Sequence, residues 1–326
     1  MRTYFLDKQF LTDREYAQLE AAFAGAGQEL LFREWRQPQE VIDGAKDADA
    51  IILMAVHITA DVMDAMPNLK VIGRCGIGVD NVDLDAATAR GIVVCNVPDH
   101  CTYEVASHAF AMMLALERQL PAFIDRAKKG GYANGKLIKC HRIRGQVMGI
   151  LGYGKIGREL AKMALGMGMQ VMVYDPFVKE TDEPGIALAN MDTILRQADV
   201  ISLHTPLLPS TYHMISMEQL KMMKPTAILL NASRGGVVNT TDLIEALKTG
   251  VIAAAGLDVI EGEPLPAGSE LFDVPNLMIT PHVGMYSEEA MEDMYNKLFR
   301  QTTDVLAGRE PGNVVNKAVL EKLALR

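Results

Sequence analysis

The 326-residue sequence predicts an α/β protein made of two doubly wound parallel-sheet domains. Two observations carry that prediction. Strand-length apolar runs alternate with helical stretches along nearly the whole chain, and a glycine-rich turn opens a second alternating series near residue 146. In chain order, strands are expected at 3–6, 29–32, 50–56, 70–74 and 92–96, with helices such as 13–25 and 60–65 between them. Five strands separated by helices imply a small parallel sheet covered on both faces. Val105, Ala109, Met112, Met113, Leu116 and Leu120 then fall on one stripe, which predicts a long helix over 101–120.

The second series begins with a strand at 146–151, a helix at 158–166 and a strand at 170–174. Further strands are expected at 200–204, 227–231, 253–257 and 278–280, with helices near 216–223 and 241–249. A last helix is expected over 287–306, with nothing after it that resembles a third domain.

Composition narrows the function classes. The formal net charge is −9, and basic residues gather only in short pairs such as Lys128-Lys129, which argues against nucleic acid as a partner. Met1 to Lys8 is too polar for a secretory leader, and apolar runs such as 51–56 are far short of a membrane span. Cys75, Cys95, Cys101 and Cys140 form neither a CxxC pair nor a zinc spacing, so no metal is expected and a cytoplasmic protein with reduced thiols is the expectation.

The turn itself is Gly152-Tyr153-Gly154-Lys155-Ile156-Gly157, with Asp175 closing the following strand. Glycines in this order permit a tight strand-to-helix turn, close approach of backbone to a pyrophosphate, and close helix–strand packing. Unpaired amides at the helix start face the phosphate charge. Asp175 would accept hydrogen bonds from the adenosine ribose and repel a 2′-phosphate, so the expected cofactor is NAD rather than NADP.

Three polar residues follow apolar strands: Arg234 in Asn231-Ala232-Ser233-Arg234-Gly235-Gly236, Glu263 before Pro264, and His282 in Thr280-Pro281-His282. Each alone reads as an ordinary surface residue. Together they supply what oxidation of a hydroxyl to a carbonyl needs: an imidazole base with a carboxylate partner, and a guanidinium for the substrate's charge.

With Gly76-Ile77-Gly78-Val79-Asp80-Asn81-Val82-Asp83, Tyr174-Asp175-Pro176 and Gly256-Leu257-Asp258, these segments resemble the D-isomer-specific 2-hydroxyacid dehydrogenase family over nearly the whole chain. The resemblance implies a split flavodoxin-like substrate domain, 1–99 plus 284–326, and a Rossmann NAD-binding domain, 100–283, with a cleft between them. It implies that Arg234 binds the carboxylate and carbonyl oxygen, that His282 is the acid/base with Glu263, and that the amides of Ile77 and Gly78 hold the carboxylate. It implies that Asp258 contacts the nicotinamide carboxamide, and that Thr102, Gly152, Gly154, Lys155, Ile156, Gly157, Asp175, Thr205, Pro206, Thr211, Ala232, Ser233 and His282 border the cofactor. A homodimer through the cofactor domain, with the 101–120 helix in its surface, is implied as well.

Within the family, Asn96-Val97-Pro98 and the run from His282 to Glu288 look most like the branch of the C-terminal-binding proteins and their bacterial enzyme relatives. The expected activity is NAD-dependent interconversion of a 2-keto acid and a D-2-hydroxy acid. Two alternatives stay open: an NAD(H)-sensing scaffold of the corepressor kind, against which the lack of long flanking tails argues, and a short-type phosphoglycerate dehydrogenase. Glutamate at 263 and isoleucine at 77 depart from the patterns of formate and phosphite dehydrogenases.

Overall fold

A computed structural model describes residues 1–131, 138–181 and 183–323. Its contacts divide the chain into two units, Met1–His100 with Ser287–Arg326, and Cys101–Tyr286.

The first unit holds β1 (Arg2–Phe5), α1 (Asp13–Gly25), β2 (Glu29–Phe32), α2 (Pro38–Gly44), β3 (Ala50–Leu53), α3 (Ala60–Asp64), β4 (Val71–Arg74), α4 (Leu84–Ala89) and β5 (Val93–Cys95). Its five strands are all parallel, in the order β2-β1-β3-β4-β5. This is the flavodoxin-like order, which reverses between β1 and β3. Asp7, just past β1, is buried at that reversal and accepts the amides of Met54 (2.6 Å) and Ala55 (3.4 Å) beyond β3. Burial raises its carboxyl against the pull of those amides. Alternate residues of each strand enter opposite cores: Ile51, Leu53, Ile72 and Val94 on one face, Ala50, Ile52, Val71 and Val93 on the other.

The second unit opens on α5 (Thr102–Glu117) and α6 (Leu120–Lys128), and continues through β6 (Val147–Leu151), α7 (Lys155–Gly166), β7 (Gln170–Tyr174) and β8 (Ile186–Leu188). Then follow α8 (Met191–Gln197), β9 (Val200–Leu203), α9 (Met217–Met222), β10 (Ile228–Asn231), α10 (Thr240–Thr249), β11 (Ala254–Leu257) and β12 (Leu277–Ile279). The seven strands are parallel, ordered β12-β11-β10-β9-β6-β7-β8, and the order reverses between β6 and β9. That is the doubly wound dinucleotide-binding topology with one strand added. The last helix, α11 (Glu288–Leu306), returns to the first unit and lays Met291, Met294, Tyr295 and Leu298 on its sheet.

Three expectations change. The helix expected over 101–120 stops at Glu117, because Gln119 turns left-handed (φ 54°) and Pro121 starts a separate helix, α6. The three-residue edge strand β8 and helix α8 were not expected, since Pro184 and Gly185 break the apolar pattern just ahead of them. The chain re-enters the first unit at Ser287 rather than 284, because Asp258 grips the amides of Val283 (2.9 Å) and Gly284 (2.8 Å) and keeps that loop with β11.

One buried group is expected to make this fold acid-sensitive. His204, just past β9, meets Ser202 Oγ through Nε2 (2.9 Å), and desolvation lowers its pKa to about 4 from an ordinary 6.5. The folded state therefore resists protonation that the unfolded chain accepts, and stability falls as pH drops from 6.5 towards 4. Over that window the loss from this group should reach about 3 kcal/mol. Unfolding free energies of wild type and His204→Gln, measured from pH 7 to 4, should converge by roughly that amount. Parallel curves would remove His204 as the cause.

Candidate active site

The glycine-rich turn sits at the β6/β9 reversal. Gly152 has φ +99°, and a Cβ there would lie 2.5 Å from the carbonyl oxygen of His204; one on Gly157 would lie 2.3 Å from the Gly152 oxygen. No other residue type fits either place. Gly154 caps α7 without a side chain, and beyond its own stretch of backbone no heavy atom of the described residues lies within 4 Å of where its Cβ would be. The first-turn amides from Lys155 and Ile156 onward have no partner inside the helix. The Thr205 amide lies 3.0 Å from where a Cβ on Gly152 would be, and the Thr205 hydroxyl is buried with no hydrogen-bond partner among the described residues. Open space, unpaired donors and an orphaned hydroxyl at a helix start suit an anionic dinucleotide.

Asp175 ends β7. Its Oδ2 accepts the Tyr153 amide and its Oδ1 that of Phe177, both at 2.9 Å, which ties the glycine turn to the strand and leaves each oxygen a further acceptor site. A cavity of about 470 Å³ opens beside it, lined by Tyr174, Asp175, Pro176 and Lys179 and also by Leu188 and Asn190 from the unexpected β8 segment. Thr211 lies in the loop after β9, where its hydroxyl donates to Pro206 O (2.6 Å) and accepts the Leu208 amide (2.8 Å). Thr102 is the first residue of α5.

Arg234 follows β10 in a preorganised loop. The buried Asn231 donates to the Arg234 carbonyl (2.9 Å) and accepts both the amide (3.0 Å) and the hydroxyl (2.8 Å) of Ser233, next to Ala232. Arg234 Nη1 donates to Ser233 O at 2.8 Å. Glu263 and His282 meet directly: Glu263 Oε1 lies 2.7 Å from His282 Nδ1. Glu263 Oε2 also accepts the Ile260 amide (3.2 Å), which fixes the carboxylate against its own turn. His282 is held at φ 55°, a left-handed conformation.

What holds His282 there is Asp258. Its Oδ1 accepts the Thr280 hydroxyl (2.7 Å) and the Val283 amide, its Oδ2 the Gly284 amide, and its main-chain carbonyl the His282 amide (2.8 Å). His108 Nε2, from α5, reaches Thr280 Oγ1 at 2.9 Å and Asp258 Oδ1 at 3.4 Å. Burial works to raise this carboxyl, but His108, Thr280 and the two amides together hold it below the usual carboxylate range. Asp258 is thus engaged by the protein at both oxygens and acts as the clamp of the His282 loop. His108 and Thr280 were missed as site residues, since α5 lies 172 positions from Thr280 and its stripe reads as core. Ile77 and Gly78 lie in the first unit, part-exposed in the loop after β4, where Ile77 O accepts the Asn96 amide group.

Residues 110–284 match the model of the D-isomer specific 2-hydroxyacid dehydrogenase NAD binding domain. The chain belongs to this family, an NAD-dependent dehydrogenase family. A glyoxylate reductase of Thermococcus litoralis is 37% identical over 88% of the chain and 90% of its own length. A D-3-phosphoglycerate dehydrogenase of Methanocaldococcus jannaschii is 40% identical over 85% of the chain, which spans only about half (53%) of that relative. The structure of D-lactate dehydrogenase from Aquifex aeolicus, complexed with NAD and lactic acid, superposes with a TM-score of 0.86 at 28% identity, over 98% of each chain.

The tight approach at Gly157 yields a test. A Gly157→Val side chain would force α7 away from the Gly152 carbonyl, so NADH affinity should fall at least about tenfold, read by fluorescence titration. Unchanged affinity would separate cofactor binding from this turn.

Proposed function

We propose that the protein interconverts a 2-keto acid and a D-2-hydroxy acid, with His282 as acid/base, Glu263 as its partner, and Arg234 holding the substrate's carboxylate and carbonyl oxygen. The observation that carries this reading is the 2.7 Å contact between His282 Nδ1 and Glu263 Oε1. With Nδ1 committed to the carboxylate, Nε2 is the nitrogen left to give a proton to the substrate oxygen in reduction and to take it back in oxidation. When bound, NAD supplies the hydride acceptor, and its reduced form the donor, for the substrate carbon. The guanidinium of Arg234 offers a planar fork to a carboxylate and stabilises negative charge growing on the oxygen.

The first-turn amides of α7, with Lys155 and Ile156, would take the cofactor's phosphates, and Asp175 its adenosine ribose. Thr102, Thr205, Pro206, Thr211, Ala232 and Ser233 would border the rest. On family resemblance, Ile77 and Gly78 of the first unit bind the substrate carboxylate, and that unit is the substrate domain.

Names of relatives point to small substrates, glyoxylate and lactate among them. The phosphoglycerate relative favours a phosphorylated three-carbon acid as a second reading. A cytoplasmic homodimer belongs to the proposal too. It is supported by α6, which buries none of its residues and leaves Leu120 and Ile124 exposed. No helix among the described residues is long and apolar enough to cross a membrane.

NADH oxidation should be measured with glyoxylate, pyruvate, hydroxypyruvate, phosphohydroxypyruvate and branched 2-keto acids. At least one should turn over, and rank order separates the two substrate readings. His282→Ala should then lower kcat about 10²- to 10⁴-fold with NADH binding kept, and Arg234→Ala should lower kcat and raise KM for the keto acid. Near wild-type kcat in His282→Ala would overturn the acid/base assignment. Separately, Asp175→Ala should relax the preference for NADH over NADPH. An unchanged ratio of kcat/KM values would show that other groups read the ribose.

A further inference from the structure

A second imidazole–carboxylate pair lies on the same turn as Glu263 and takes no part in the chemistry above. Glu261 Oε1 is 2.8 Å from His213 Nε2 and accepts the Tyr212 hydroxyl at 3.1 Å. The Tyr212 and His213 rings stack, with centroids 3.9 Å apart and planes 18° from parallel. His213 Nδ1 faces the Asn239 side-chain amide (3.5 Å), which suits the tautomer that donates from Nε2 to Glu261. His213 is itself anchored: its amide donates to Gly236 O (2.8 Å), two residues past Arg234, and its φ is 51°.

Glu261 therefore links three loops, those that follow β9, β10 and β11. The turn that carries it is closed by Glu263 N to Ile260 O (3.4 Å) and by Glu263 Oε2 on the Ile260 amide (3.2 Å). Its inner side is fixed, since Ile260 is buried and the backbone of residues 260–261 presses on Gly235, where a Cβ would lie 2.2 Å from Ile260 C. On the outer side, the Glu261 side chain ties the turn to Tyr212 and His213.

We infer that Glu261, gripped by Tyr212 and His213, is a positioning residue that holds turn 260–263 so that the Glu263 carboxylate meets His282 Nδ1. The inference rests on the reading of Glu263 and His282 as the acid/base pair. Without the outer tie the turn keeps its inner contacts but gains freedom at Glu263, and a misaligned partner costs turnover rather than binding.

The test compares Glu261→Ala, Glu261→Gln, Glu263→Gln and the double variant Glu261→Ala/Glu263→Gln in the full chain. In Glu261→Ala, kcat should fall about tenfold while KM for the keto acid and for NADH stays within about twofold. Glu261→Gln keeps an oxygen that accepts from both Tyr212 and His213, so it should recover kcat to within about twofold of wild type. The double variant should be no slower than Glu263→Gln alone, because both changes break one unit. A readout independent of turnover is the downfield proton resonance of His282 Nδ1–H, assigned by its loss in His282→Ala. It should broaden or vanish in Glu261→Ala and return in Glu261→Gln. Wild-type kcat and resonance in Glu261→Ala, or additive losses in the double variant, would reduce Glu261 to a tie of the fold. A glutamine variant as slow as the alanine one would make charge rather than geometry the cause, which also overturns the inference. Wild-type kcat in Glu263→Gln would sink the acid/base reading and the inference with it. If no keto acid is turned over, the resonance decides alone.

Discussion

The Asp258 carboxylate sits 3% exposed at the end of β11, and the polar end of the second unit is organised around it. An isolated carboxylate in such a place costs several kcal/mol, so it is tolerated only when donors surround it. Here the donors are the Thr280 hydroxyl and the amides of Val283 and Gly284, with His108 behind Thr280. Two of those donors, the amides of Val283 and Gly284, directly follow His282 in the loop it occupies. The requirement that Asp258 be satisfied is therefore also the requirement that the loop fold back, which turns His282 left-handed and delivers its Nδ1 to Glu263.

Parallel topology explains why these groups share one edge. In a parallel sheet every strand ends on the same side, so the loops after β6, β7, β9, β10, β11 and β12 all emerge together. The helix that follows β6 adds the positive end of its dipole at that edge. In a chain of net charge −9, that edge gathers backbone amides and the Arg234 guanidinium, the groups the proposed function assigns to an anionic cofactor and an anionic substrate.

Much of this was legible in the residues and some was not. The glycine turn declares itself because steric rules leave few substitutes at Gly152 and Gly157, and both close approaches are present. Arg234, Glu263 and His282 each read as ordinary surface residues, and stood out only as a set that supplies a base, its carboxylate partner and a cation after apolar strands. The supporting contacts were not readable. His108 and Thr280, or His213 and Glu261, are 172 and 48 positions apart, and only the folded sheet brings them together. Asp258 was expected to contact the nicotinamide carboxamide, but the donors that hold its carboxylate in place, His108, Thr280 and the amides of Val283 and Gly284, could not be read from the residues. The edge strand β8 escaped notice because Pro184 and Gly185 interrupt the apolar pattern just ahead of it.

The left-handed histidines show how the parts depend on each other. His213 and His282 each hold a conformation that costs on the order of 1–3 kcal/mol for a residue with a Cβ. Each also contacts a glutamate of the same four-residue turn, His213 meeting Glu261 and His282 meeting Glu263. A hydrogen bond to a charged partner contributes about 1.5–3 kcal/mol, the same size as the strain it opposes. Neither conformation is therefore secure alone. They persist because the turn between them is anchored by Ile260 within and by two imidazoles without, while Asp258 independently fixes the backbone on either side of His282. The geometry of the His282 imidazole is in this sense a property of the whole loop set rather than of His282.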